Sequence, residues 1–157
     1  MGTWFHEMGH GIMSIIVGGK FQYLEIFENG SGLAHSSYYD SDFYFNKNLA
    51  LAMVTTAGLF GPPVVGSILI LMSKNFKKSK IILYILSVSM LISVAIWVRT
   101  TVGVVVILSL GALLLFISVK AKPMIHQFVV QIIGVIAVVN TFRQIGYLYI
   151  EKVTVGG

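Results

Sequence analysis

At 157 residues the chain has room for one domain, and it is 56% hydrophobic and only 11% charged, where an ordinary soluble domain is about 25% charged. With a mean hydropathy of +0.86 and several long apolar runs, this balance excludes a soluble globular protein and reads as a polytopic membrane protein. The absence of cysteine rules out disulfides and thiolate-bound zinc, while the net charge of +5 lies mostly in short lysine-bearing loops. There it orients membrane helices, and it gives no reason to expect nucleic acid as a partner.

The first predicted element is a helix from Thr3 to Val17, stopped by Gly18-Gly19. It carries His6-Glu7-Met8-Gly9-His10, an HExxH pattern. Histidines at i and i+4 project from one helix face, so both reach one metal ion. Zn²⁺ accepts imidazole nitrogen and, in catalytic sites, keeps one position for water. Glu7 is about 100° around the helix from His6, beside such a metal, where a carboxylate takes a proton from water. Histidine and glutamate inside an apolar helix are costly and by default functional. The first apolar stretch holds this motif with no basic segment before it, so no cleavable signal peptide is expected.

Lys20 to Phe27 and Gly32 to Ser37 read as two strands, joined by Glu28-Asn29-Gly30-Ser31 with its Asn-Gly hairpin signal. In the first strand Phe21, Tyr23 and Glu25 alternate with Gln22, Leu24 and Ile26, leaving a free edge. Tyr38 to Lys47 is a polar, aromatic connection suited to a membrane interface. Four apolar segments follow, near Asn48–Ser73, Ile81–Val98, Thr101–Val119 and Met124–Ile150, each long enough to cross a bilayer. Gly61-Pro62-Pro63 predicts a kink or short break in the first of them. The short connections at Arg99-Thr100 and Lys120 to Pro123 predict antiparallel neighbours. No internal repeat is evident. The expected fold is therefore an all-α polytopic membrane protein of about five membrane helices, with a short β-hairpin after the first. Both ends read as abrupt, so one membrane-embedded domain, 1–157, incomplete at both ends, is expected.

HEMGHGIMSIIVGGKF, the hairpin after it and Ala57-Gly58-Leu59-Phe60-Gly61-Pro62 together resemble the site-2 protease family of intramembrane zinc metalloproteases, in its compact bacterial multi-pass branch. The resemblance is carried by His6 to Gly66; beyond that it is one of hydropathy. It implies His6 and His10 as zinc ligands, Glu7 as the catalytic carboxylate, Zn²⁺ as cofactor, a membrane-protein substrate and a place in the bacterial cell membrane. The family completes its zinc shell with an aspartate from a later segment, often in an Asn-Pro…Asp-Gly setting. Here only Asp40 and Asp42 are present, outside such a motif, and no aspartate follows Asn140, which resembles the late helix. The expectation is a third ligand beyond Gly157, with His126, Glu151, Asp40 and Asp42 as substitutes. Counting lysines at 74, 77, 78, 80, 120 and 122 makes their side cytoplasmic and puts the hairpin opposite. The family resemblance puts the hairpin toward the cytoplasm, so orientation stays open, as does the oligomeric state.

Blander readings stand beside these. His126 is otherwise an interfacial histidine, His35 a solvated strand residue, and Glu151 a helix end at the headgroups. Met8, Met13 and Met53 are packing residues, and Gly18, Gly58, Gly61 and Gly66 permit close helix approach. Arg143 snorkels or pairs with Glu151, and the Pro62-Pro63 break could line a water path. Two rival functions remain: a catalytically inactive relative that binds membrane partners, and a small transporter built on a broken helix.

Overall fold

The structure is a computed structural model that describes residues 1–39, 43, 44 and 46–155, with side chains as far as Thr141. In chain order it holds α1 Gly2–Ile16, the hairpin strands β1 Lys20–Ile26 and β2 Gly32–Ser37, then α2 Lys47–Met72, α3 Phe76–Ile96, α4 Thr101–Lys120 and α5 Pro123–Val155. The five helices and single hairpin agree with the sequence reading. Four of the helices, α2 to α5, are long and apolar enough to cross a membrane. At 15 residues, α1 is about 22 Å long, short of the ~30 Å hydrocarbon core. Large apolar side chains such as Phe60, Leu71, Val105 and Phe116 point outward, as lipid-facing helices require.

Small residues set the helix contacts. A Cβ at Gly66 would lie 2.6 Å from the Gly134 carbonyl oxygen, and one at Gly134 would lie 2.8 Å from that of Gly66, so α2 and α5 meet backbone to backbone. Leu83, Met90 and Ile107 are fully buried between α3 and its neighbours. The expected break at Pro62-Pro63 is absent: α2 runs unbroken through both prolines. Lipid-embedded helices tolerate the missing amides because neighbours and side chains serve the freed carbonyls. The third helix begins at Phe76, five residues before the expected Ile81. Asn75 caps it by accepting from the amides of Lys77 and Lys78 at 3.0 and 3.2 Å, and lysine itself is a good helix former.

The hairpin turn places Gly30 at φ 81°, as an Asn-Gly turn demands. A bulge between Phe21 and Tyr23 shifts the alternation expected for β1, so Phe21, Leu24 and Ile26 are the buried residues. The outer edge of β1 is not free. Leu24 donates its amide to Trp97 O at 2.8 Å and accepts from the Arg99 amide at 3.0 Å. Thr100 Oγ1 accepts from the Ile26 amide at 3.1 Å and donates to its carbonyl at 2.9 Å. The α3–α4 turn thus acts as a third strand. Backbone groups of Leu24 and Ile26 that point away from β2 imply that their partners Ala34 and Gly32 also point outward, on the remaining open edge. By helix connectivity the α2–α3 and α4–α5 turns share one end of the bundle, and the hairpin packs at the α3–α4 turn, at the other.

Candidate metal centre

The HExxH helix is anchored at both ends. Its C-terminus closes with the Gly18 amide on Ile15 O and the Gly19 amide on Ser14 O, at 3.1 and 2.8 Å. Gly18 at φ 103° makes this a Schellman stop, so that glycine serves the turn and not a helix contact. Near its N-terminus, Trp4 Nε1 donates to Ser93 Oγ of α3 at 2.9 Å, and Thr3 donates to the Gly30 carbonyl of the hairpin turn at 2.6 Å.

Between these anchors α1 lies hard against α2. A Cβ on Gly9 would stand 2.7 Å from the Ala57 carbonyl, and one on Gly58 would collide with the His10 imidazole. Gly61, by contrast, has nothing nearer than 3.9 Å to a built Cβ, so close approach does not account for it. His10 Nδ1 is 2.8 Å from Val54 O. Since a carbonyl only accepts, Nδ1 carries the proton and the Nε2 of the neutral ring is a lone pair. That Nε2 lies 3.1 Å from His6 Nε2. Two nitrogens bound to one tetrahedral zinc at about 2.0–2.1 Å stand about 3.3 Å apart, so the pair fits a shared metal. Gly58 lies one helical turn further along α2. Pro62 has no amide for the Gly58 carbonyl, which leaves that oxygen unused by the helix. His6 Nδ1 is buried and has no hydrogen-bond partner among the described residues. Val54 and Gly58 follow Lys47 by seven and eleven residues, about 10 to 17 Å along α2.

Glu7 is 6% exposed. It meets the inner edge of the hairpin: a Cβ on Gly32 would stand 2.8 Å from Glu7 Cγ, and the outward Ala34 amide faces its carboxylate. Two clefts flank it. One of about 370 Å³ lies among His6, Glu7, His10, the β2 edge and Val54. The other, of about 690 Å³, reaches His6 and Glu7 past Thr3, Asn29, Ser31 and Asn140.

The three motif residues are therefore brought together, and His126, the substitute for a third ligand whose side chain is described, is not among them. His126 is buried at the start of α5 with Nε2 3.0 Å from Ile117 O, so it ties α5 to α4. His35 is half-buried, stacked on Tyr23 and 3.0 Å from Glu25; it is a partnered strand residue and not a freely solvated one. Asp40 and Asp42 lie outside the described residues, as do the side chains of Arg143 and Glu151. Among the described residues no group of three His, Cys, Asp or Glu could hold a metal. Met8 is buried packing, as expected. The sequence reading passed over Val54, Gly32 and Ala34, which act through backbone position; only the i, i+4 spacing of Val54 to Gly58, mirroring His6 to His10, hinted at the first.

A polytopic membrane fold with paired histidines and a buried glutamate on one inward helix defines the class. A family model for Peptidase M50B-like proteins matches residues 1–156, and the chain belongs to that family, among the site-2 proteases. Searches of curated proteins and of solved structures return no match.

Proposed function

We propose that this integral membrane protein is a zinc metalloprotease that hydrolyses peptide bonds of membrane-associated protein substrates. The observation that carries the reading is the 3.1 Å approach of the two imidazole Nε2 atoms beside the buried Glu7. His6 and His10 would hold the ion. Zinc, when bound, supplies Lewis-acid polarisation of the scissile carbonyl and of the attacking water. Glu7 takes the water proton and returns it to the departing amine nitrogen. The polar cleft past Thr3, Asn29, Ser31 and Asn140 gives water a route to that carboxylate from the hairpin turn.

A membrane-spanning substrate must first unwind, because its exposed amides find no partner in lipid. The open β2 edge offers those partners by strand addition. It is this edge, and not that of β1, which lines the cleft with Glu7. Ala34→Pro removes an outward amide, one that also faces the Glu7 carboxylate, without breaking a ladder bond; cleavage should fall about two- to tenfold, one lost hydrogen bond's worth, while the helical content by circular dichroism holds. Undiminished cleavage would remove the strand-addition step.

The function itself is tested with the full chain reconstituted alongside a membrane-spanning peptide. Cleavage should stop on chelation by 1,10-phenanthroline and return with zinc; cleavage indifferent to the chelator would overturn the reading. One observation favours a second reading, a catalytically inactive relative that binds membrane partners: no third ligand joins the histidines among the described residues. The transporter reading has lost its basis, since α2 is unbroken.

A further inference from the structure

The bundle is electrically lopsided in a way that catalysis does not explain. Lys74, Lys77, Lys78 and Lys80 at the α2–α3 turn and Lys120 and Lys122 at the α4–α5 turn hold six of the chain's 11 basic residues. All six are exposed, and the fold puts both turns at one end. No aspartate or glutamate occurs in either turn or in the adjoining two turns of any of the four helices. The hairpin end, in contrast, carries both signs, with Lys20 and Arg99 beside Glu25 and Glu28.

The placement is also unfavourable within the protein. Lys77, Lys78 and Lys80 crowd the start of α3, which has no acidic residue in its first turn, and Lys122 directly precedes the start of α5. Helix N-termini carry the positive end of the macrodipole and repel cations. The turn that holds this charge is firmly built: the buried Ser79 donates to Ser73 O at 3.1 Å. Phe76 and Met124, 54% and 78% exposed, sit among the lysines as exposed apolar side chains.

We propose that this end is a binding surface for anionic phospholipid headgroups. Phosphates supply to the lysines the negative charge that the chain withholds. Phe76 and Met124 enter the acyl boundary beside them. Each lysine held at an anionic bilayer surface strengthens attachment roughly fivefold, and the attraction weakens with salt. The proposal goes beyond the hydrolytic reading and stands whether or not the chain cleaves peptides.

The full chain, reconstituted in nanodiscs of equal phosphatidylglycerol and phosphatidylcholine, is released and its retained lipids counted by native mass spectrometry. The wild type should retain phosphatidylglycerol over phosphatidylcholine by about tenfold or more. The variant with all six lysines changed to glutamine should lose that preference. The six-arginine variant should keep it, as should a control carrying Lys20→Gln and Arg99→Gln at the other end. Equal retention of both lipids by the wild type overturns the proposal. So does a preference that survives in the six-glutamine variant, or one lost equally in the control, which would reflect net charge alone. Helical content by circular dichroism reports whether each variant is folded.

Discussion

Glu7→Gln should abolish peptide cleavage, by about 10²–10⁴-fold, the usual contribution of a positioned general base, while zinc stays bound. The substitution preserves shape, which matters because Glu7 is buried and pressed against Gly32. It leaves His6 and His10 untouched, with their Nε2 atoms still 3.1 Å apart. What it removes is one carboxylate oxygen, the acceptor that the proposed mechanism assigns to the water proton. Cleavage and zinc content, measured on one preparation, separate the readings. Loss of cleavage with zinc retained identifies a protease, whereas a wild type already silent and unchanged by the substitution identifies a non-catalytic relative.

The second large effect is expected at Gly58, a residue with no chemistry of its own. Its missing side chain is the space in which the His10 imidazole lies. Gly58→Leu must push either the ring from Val54 O or α2 from α1. Overpacking of this kind costs about 1–3 kcal/mol, and mis-set ligands typically lose about 10–100-fold in metal affinity. Weakened zinc binding and a lowered melting temperature are therefore expected together. Gly61→Ala is the matched control, three residues on in the same helix, where a Cβ meets nothing nearer than 3.9 Å; it should change neither. Equal effects at both positions would mean that α2 responds to any lost glycine, and that the His10 seat is not special.

Periodic features were the ones legible in the sequence. Long apolar runs gave α2 and α4 to within a residue of their observed bounds and α3 and α5 to within five, Asn29-Gly30 gave the turn, and HExxH gave one helix face. Each is local chemistry written in side chains. Three features were not legible. The bulge at Gln22 reverses an alternation that reads cleanly in the sequence, because the α3–α4 turn claims the backbone of Leu24 and Ile26. The unbroken α2 defies its prolines because tertiary neighbours in an apolar medium override local propensity. The roles of Val54, Gly32 and Ala34 lie in carbonyls, amides and absent atoms, which residue identity does not mark. Gly18 is the helix stop that Gly18-Gly19 announced and not also a packing glycine, and Gly61, read as a packing glycine, has room to spare.

The central claim is that His6 and His10 form a metal-binding pair. It is tested most directly by the zinc stoichiometry of the detergent-purified chain, set against His6→Ala. The account predicts near one zinc per chain, lost on the substitution. A wild type without zinc, or zinc retained by His6→Ala, would contradict it.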